Sequence, residues 1–246
     1  MIPVSTFPAF HYIHRMSLTR LQPLRGRTFQ TKQAMVYESL REAIMQSRLA
    51  PGERLVIDDI AVKFAVSAIP VREALQLLQA ERLVEQRPHV GAVVAPLTIN
   101  DAREIFALLA GLEMAACAGA IERATREDVA VLEDLVAKME AVTDDARWIE
   151  LNQRFHRAFA EIARMPRAVE MLARVSGEWE RLRRHCFADV GRPDTGAADR
   201  EHRAMIQALA RKDGAGLEAI VRAHNRDALA YYLEAAAKMT ANVPAK

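Results

Sequence analysis

Residues 65–75 read AVSAIPVREAL, and this stretch decides the fold of the N-terminal part of the chain. Ser67 is a residue type that favours a helix N-cap, because its hydroxyl can accept a hydrogen bond from an unpaired backbone N–H. Pro70 fits only the first turn, so a helix is predicted to open near Ser67, with Arg72 pointing away from its apolar side. Apolar residues over 55–64 predict a second short helix just before it. Two short helices joined by a tight turn, the second with an exposed arginine near its start, are typical of a helix-turn-helix.

A β-hairpin is predicted directly after these helices. Residues 83–87 and 92–94 have the composition of short strands, and residues 88–91 between them have that of a turn. A hairpin that follows a helix-turn-helix in this way is a wing, so the sequence indicates a winged helix.

The whole run resembles the winged-helix domain of the GntR family of bacterial transcription regulators. The matching residues are PVREAL at 70–75, the Pro-Gly pair at 51–52 and the glycine of the wing. The resemblance implies a DNA-binding domain over residues 34–97 that reads half of a palindromic double-stranded operator as part of a homodimer. Ala68 and Ile69 stand where the family usually has Arg and Thr, so an unusual sequence preference is expected. The residues expected at the DNA are Ser67, Ala68, Ile69, Arg72, His89 and Gly91.

Length and composition limit the class of protein. At 246 residues the chain is long enough for two ordinary domains, and 51% of its residues are hydrophobic. It has no run of roughly eighteen apolar residues, so no membrane span is expected, and residues 1–20 lack the apolar core of a secretory signal. Cys117 and Cys186 have no metal or redox spacing, which favours reduced thiols in a cytoplasmic protein over a disulfide.

The net charge is only +2, but it is unevenly distributed. Residues 1–97 carry twelve Lys or Arg and eight Asp or Glu, whereas residues 98–246 carry 22 and 24, so the first part is expected to face phosphates. Residues 1–33 contain five cations, no acid and several prolines, which predicts a basic flexible arm. This arm either follows the DNA or is a dispensable extension. Residues 241–246 are expected to form a tail.

From Thr98 onward the pattern changes to long amphipathic helices with short breaks. Capping residues and prolines mark their starts, as at Thr125 and Pro166, and strand patterns are absent. The predicted fold is therefore mostly α, with an N-terminal winged helix-turn-helix followed by an antiparallel bundle of about six helices over residues 98–240.

Four residues of the helical part are candidate metal ligands. Asn152 and His156 are four residues apart, which places them on one face of a helix, and His202 and His224 fall on two later helices. Imidazole nitrogens suit Zn, Ni, Co or Fe, and bundle cores are where such sites are built. Spacing alone leaves open the alternative that these histidines lie at the surface or make ordinary hydrogen bonds.

The same segment resembles the FCD domain that follows the winged helix in the FadR branch of the GntR family. That domain carries an Asp or Asn, a His four residues later and after a Phe, and two further His, which match Asn152, His156, His202 and His224. The resemblance implies an effector-binding and dimerisation domain that holds a small organic acid at a divalent transition metal such as Zn or Ni. Because Asn152 replaces the commoner Asp, weaker metal binding is expected.

The resemblance is incomplete at the effector site. Leu109 stands where the family often has an arginine that binds the carboxylate of the effector, and Arg181 and Arg184 are the candidates to replace it. The predicted function is a metabolite-responsive DNA-binding regulator, with repression as the expected sign.

Two alternatives stay open from the sequence. The histidines could activate water in a metal-dependent enzyme, although Glu150 and Glu201, the nearby candidates for a general base, form no motif such as H-E-x-x-H. Alternatively, the metal could be structural in a bundle whose effector site is lost.

Overall fold

The computed structural model describes residues 21–22, 31–186 and 195–241. The described chain divides into two compact units. One holds the residues up to Thr98 together with Glu180–Cys186, and the other holds Ile99–Trp179 with the residues that follow Cys186. Most of the predicted arm over 1–33, and the tail after residue 241, lie outside the described residues.

The first unit has the predicted winged helix-turn-helix architecture. Among its described residues the elements run in the order α1 (Lys32–Met45), α2 (Ile57–Phe64), α3 (Ala68–Ala80), β1 (Val84–Arg87) and β2 (Gly91–Val94). Its core consists of apolar side chains from all three helices and the hairpin, among them Leu40, Ile44, Ile60, Leu75, Leu78 and Val94.

The tight turn between α2 and α3 depends on two backbone positions. Ala65 ends α2 in the left-handed conformation (φ 52°), and its N–H bonds back to the last turn of that helix. Ser67 occupies the N-cap position of α3 with an extended backbone, but its side chain makes no capping hydrogen bond. The prediction was therefore right about the position and wrong about the hydrogen bond, because Ser67 is exposed and water can satisfy its hydroxyl.

The wing is a two-stranded antiparallel hairpin. Val84 pairs with Val94 at its base and Arg87 with Gly91 at its tip. The turn requires positive φ at His89 (61°) and at Gly91 (93°), and glycine adopts this conformation without a steric cost. A bridge from Arg54 to Val93, which the sequence pattern did not predict, adds the segment before α2 to the free edge of β2.

The predicted arm ends earlier than expected. The hydroxyl of Thr31 accepts a hydrogen bond from the N–H of Ala34 at 3.0 Å, so α1 begins at Lys32 rather than at residue 34. Leu21, which also falls in the predicted arm, is fully buried in the core of the first unit. Burying this apolar side chain removes it from water, and the free energy gained favours a fixed position over a flexible arm.

The second unit is helical, with no strand among the described residues from Ile99 to Ala241. Six helices are described there, as predicted, although the last residues of the fourth belong to the first unit. They are α4 (Ile99–Arg123), α5 (Arg126–Ala141), α6 (Asp145–Ile162), α7 (Pro166–Cys186), α8 (Thr195–Ala210) and α9 (Gly214–Ala241).

Side-chain caps fix the starts of two of these helices. Thr125 and Asp128 form a reciprocal capping box at α5, and Asp144 caps α6 by accepting a hydrogen bond from the N–H of Arg147 at 2.7 Å. The Asp144 cap fixes the residue at which α6 begins, the helix that carries two of the predicted metal ligands.

Helix α4 lies at the centre of the second unit, where it packs extensively against α9 and α6. Its length and apolar composition would also be sufficient to cross a membrane. However, Glu113 is buried at its middle and its partners are other helices of the unit, so we interpret α4 as a core helix. Gly119 allows the close approach of Ala163, the C-cap residue of α6, since a Cβ at position 119 would lie 2.8 Å from Cβ of Ala163.

Candidate metal centre and DNA-binding surface

The start of α3 presents an exposed face. Ser67, Ile69 and Arg72 are exposed there, whereas Ala68 is half-buried. In a helix-turn-helix the N-terminal residues of the second helix contact base edges in the major groove. The predicted contact residues on α3 are therefore accessible to a ligand, with Ala68 the least so. In the wing, His89 and Gly91 are both exposed.

The other end of α3 is fastened to α1. Glu81, the C-cap residue of α3, accepts a hydrogen bond from the hydroxyl of Tyr37 and another from Nε of Arg41 at 3.0 Å. Burial, this hydrogen bond and the charge of Glu81 raise the pKa of Tyr37 to about 12, so the phenol stays protonated and remains a donor. These contacts fix the position of α3 within the first unit.

Three of the four predicted metal ligands converge inside the second unit. His156 on α6, His202 on α8 and His224 on α9 have ligand atoms that all lie within 4.8 Å of one another. The ring centroids form a near-equilateral triangle with sides of 5.3, 5.0 and 5.0 Å. Two nitrogens that are each bonded at about 2.1 Å to one ion are separated by roughly 3–4 Å, so the cluster is close to the spacing that one ion requires.

Two of these imidazoles are oriented by carboxylates. Nδ1 of His156 lies 3.3 Å from Oε1 of Glu113, and Nδ1 of His224 lies 2.7 Å from Oε2 of Glu201. An ionised carboxylate only accepts hydrogen bonds, so each Nδ1 must carry the proton. In the neutral form of each ring, Nε2 then has a free lone pair, which is the arrangement found where a carboxylate orients a metal-binding histidine.

The third imidazole, His202, is completely buried, and neither of its ring nitrogens has a hydrogen-bond partner among the described residues. Burial, and the nearby charges of His224 and His156, hold the pKa of His202 well below its usual value, so the ring is neutral. Leaving buried polar atoms without partners costs roughly 1–3 kcal/mol each. A neutral imidazole in this state fits a metal ion, which would bind the free nitrogen.

Asn152 lies one turn before His156 on α6, as predicted from the sequence. Its Oδ1 is buried and has no hydrogen-bond partner in the described parts of the chain. An amide oxygen is a neutral ligand, so the predicted set would offer three nitrogens and one oxygen without any negative charge.

Sequence reasoning assigned no role in the site to Glu113, which is buried beside His156. Its Oε2 also accepts a hydrogen bond from Nδ2 of Asn225 at 2.7 Å. Burial raises the pKa of Glu113, but the charge and hydrogen bond of His156 and the hydrogen bond of Asn225 outweigh it, so the pKa is lowered. The available signal was that Glu113 is the single charged residue in the apolar segment 105–121.

Cys117, which lies four residues after Glu113 on α4, is not in a metal-binding state. Burial, followed by the charges of Glu113 and Glu218, raises the pKa of Cys117 to about 12, so the thiol is protonated. Neither Cys117 nor Cys186 forms a disulfide.

Comparison with known families assigns both parts of the chain. Residues 32–94 match the family described as bacterial regulatory proteins of the gntR family, and residues 104–227 match the FCD domain. The chain belongs to the GntR family.

Individual relatives of this GntR regulator agree with the assignment. The HTH-type transcriptional regulator YdhC of Bacillus subtilis is 28% identical over 76% of this chain and 85% of its own length. The HTH-type transcriptional repressor RspR of Escherichia coli is 26% identical over 77% of this chain and 83% of its own length. A GntR transcriptional regulator from Rhodococcus sp. RHA1, known from a crystal structure, is 28% identical in sequence to this chain. The match covers 83% of this chain and 98% of the Rhodococcus chain, with a TM-score of 0.61. These relatives are transcriptional regulators and not enzymes, so the enzyme alternative is set aside.

The two arginines predicted to bind the effector make other contacts in this GntR regulator. Both lie in the part of α7 that belongs to the first unit. Nη2 of Arg181 donates to the carbonyl oxygen of Ala95 at 2.7 Å, and Arg184 pairs with Glu180 at 3.2 Å. Arg181 is buried and hydrogen-bonded to the backbone, so this geometry gives it no support as an effector ligand.

Proposed function

We propose that this GntR regulator is a cytoplasmic, metabolite-responsive repressor that binds a palindromic DNA operator as a homodimer. In this proposal a small carboxylic acid binds in the helical unit at a divalent transition metal, Zn, Ni or a similar ion. The observation that carries the metal proposal is the unpaired state of the His202 nitrogens beside two histidines whose Nδ1 atoms are already bound by carboxylates.

Asn152, His156, His202 and His224 would hold the metal. When bound, the ion supplies an electrophilic centre with positions that these four ligands leave open for a carboxylate. Because the four ligands carry no charge, a carboxylate effector would provide the anionic partner that Asn152 does not. The buried Glu113 balances part of the remaining charge through His156.

The DNA part of the proposal depends on the exposed start of α3. Arg72 supplies the cation there, and two copies of the winged helix related by a two-fold axis would read the two halves of a palindrome. Effector binding would change DNA affinity only if the effector binds one arrangement of the dimer more tightly than the other. The name of the relative RspR, a repressor, supports repression as the sign of control.

Metal analysis tests the histidine cluster directly. The full-length protein, loaded with excess Zn or Ni and then desalted, is expected to retain one divalent ion per chain by elemental analysis. His202→Ala and His224→Ala should lose this metal, whereas His89→Ala, which removes a histidine of the wing, should retain it. Added metal should also raise the Tm of the wild type but not of His202→Ala, because a ligand that binds only the native state stabilises it. Equal metal content in the wild type and in the His202→Ala/His224→Ala double variant would show that these are ordinary core histidines.

A second experiment separates a regulatory metal from a structural one. Operator DNA bound to the metal-loaded protein is titrated with a panel of small mono- and dicarboxylic acids, and release is followed by fluorescence anisotropy. At least one acid should change the affinity in the wild type and leave it unchanged in His224→Ala. Metal binding with no response to any acid would favour the structural alternative.

A further inference from the structure

Ile69, in the first turn of α3, is a large apolar side chain that the described residues of the first unit leave exposed. Its side chain is 67% exposed, and it lies outside the apolar core of the winged helix. An isoleucine exposed to this extent leaves most of its apolar surface in water, which is unfavourable by roughly 25 cal/mol per Å². Its position in the first turn of α3 places it three residues, or nearly one helical turn, before the exposed Arg72.

The chemistry of Ile69 restricts what it can recognise on DNA. It carries no donor or acceptor, so it cannot bond to the polar atoms that bases present in the major groove. The one apolar group that an unmodified base pair presents there is the C5-methyl group of thymine. The two residues before Ile69 offer few hydrogen-bonding groups to a base, since Ala68 has none in its side chain and Ser67 has one hydroxyl on a short side chain.

We propose that Ile69 selects a thymine in each operator half-site by packing against its C5-methyl group. This inference rests on the DNA-reading role of α3 given above and adds the base that one residue reads. Arg72, three residues later on α3, contributes a charged contact, so thymine selection and electrostatic binding come from different side chains.

The test begins with enrichment of a randomised duplex pool by the full-length protein, followed by sequencing. The wild-type site should contain a thymine in each half that Ile69→Ala no longer selects. Leu77→Ala is the matched control, because Leu77 is a second exposed apolar residue on α3, 43% exposed and about two turns further on, and it should leave the selected site unchanged.

Removing the methyl group itself gives the decisive measurement. Replacing that thymine by deoxyuridine in the enriched duplex removes only the methyl group and should weaken wild-type binding about fourfold, the factor for burying one methyl group. The same replacement should not affect Ile69→Ala, because the contact is already lost. Replacing the thymine pair by one with 5-methylcytosine should retain more affinity than replacing it by one with cytosine.

The possible results separate this proposal from the function on which it rests. A pool that is not enriched at all would overturn the DNA-reading role of α3 and this proposal with it. An enriched site whose thymine is selected equally by Ile69→Ala would overturn this proposal alone, as would equal binding of thymine and deoxyuridine by the wild type.

Discussion

Glu113 contacts two side chains of the second unit through opposite oxygens of its carboxylate. Oε1 lies 3.3 Å from Nδ1 of His156, and Oε2 accepts a hydrogen bond from Asn225 at 2.7 Å. The carboxylate therefore fixes both the tautomer and the ring orientation of His156, while Asn225 fixes the carboxylate. If the histidine cluster binds a metal as proposed, Glu113 would act on it through His156, as a positioning residue.

Glu113→Gln should weaken metal binding about tenfold, the lower end of what is lost when a group that orients a metal-binding histidine is changed. Glutamine has the same shape but no charge, so its hydrogen bond to Nδ1 is weaker and the imidazole is a poorer ligand. Competition with a fluorescent chelator measures the affinity. Glu122→Gln on the same helix is the control, because the Glu122 side chain is 72% exposed. Equal affinities of Glu113→Gln and the wild type would contradict the positioning role.

Arg72→Ala should weaken operator binding by about 1–3 kcal/mol, the range for loss of a good base or phosphate contact. Arg72 is the one basic residue between Lys63 and Arg82, so no neighbour on α3 can replace its charge. A gel-shift titration at fixed salt measures the change. Gln79→Ala, an exposed change in the last turn of the same helix, should bind like the wild type. Unchanged affinity of Arg72→Ala would show that α3 does not dock on DNA as proposed.

The sequence predicted the histidines but not the side chains that orient them. His156, His202 and His224 could be proposed because residue type and a family pattern both point to metal chemistry. Glu113 lies 43 positions before His156, and its contact exists only because α4 and α6 pack together. Such long-range contacts depend on the packing of whole helices, which periodicity within one segment does not determine.

At the scale of the elements, α4 approaches the end of α6 closely because α4 carries a glycine, Gly119, at the contact. Gly119→Ala would place a methyl group 2.8 Å from Cβ of Ala163, closer than two carbon atoms can approach. We expect it to lower the free energy of unfolding by about 1–3 kcal/mol, the usual cost of overpacking a core. Urea denaturation measures this change.

Ala163→Gly provides the control for this clash, because it removes the methyl group that Gly119→Ala would meet. In the double variant the loss of stability should be partly recovered, which a double-mutant cycle reports as a favourable coupling energy. Additive losses would mean that Gly119→Ala acts by some route other than contact with Ala163.

The helices were predictable because their signals are local. Apolar spacing and capping residues such as Thr125 and Asp144 lie within a few positions of the ends that they define. The errors occurred where an end depends on tertiary contacts. Leu21 was assigned to a flexible arm, yet it packs into a core formed by residues far along the chain.

At the scale of the whole molecule, the proposed homodimer needs a surface on the second unit. Over its middle turns, the side of α4 that does not face its neighbours is exposed and apolar, at Ala107, Leu108, Gly111, Ala115 and Ala118. Exposed apolar patches on a helix are typical of surfaces that bind another protein. This side of α4 therefore supports dimerisation through the helical unit.

Leu108→Glu should shift the full-length protein from dimer towards monomer in sedimentation velocity at micromolar concentration. The substitution would bring two carboxylates, one from each copy, into an apolar interface, and burying unpaired charge is strongly unfavourable. Val131→Glu on α5 is the matched control, since Val131 is also exposed, at 57%. Monomeric wild type, or a dimer that tolerates Leu108→Glu, would place the interface elsewhere or remove it.

The complete burial of His202 also has a consequence for the rate at which an ion could leave. Asn152 in place of Asp predicts weak binding at equilibrium, but a chelator cannot reach a fully buried nitrogen until α8 and its neighbours open. Metal loss followed by a coloured chelator should therefore approach a limiting rate as the chelator concentration rises, and this plateau would equal the opening rate of the bundle. A rate that keeps rising in proportion to chelator would mean that the chelator attacks the ion directly, through the partly exposed side of His224. With a plateau, the regulator would release its metal slowly even though it binds it weakly. Its metal content would then change more slowly than the concentration of free metal in the cell.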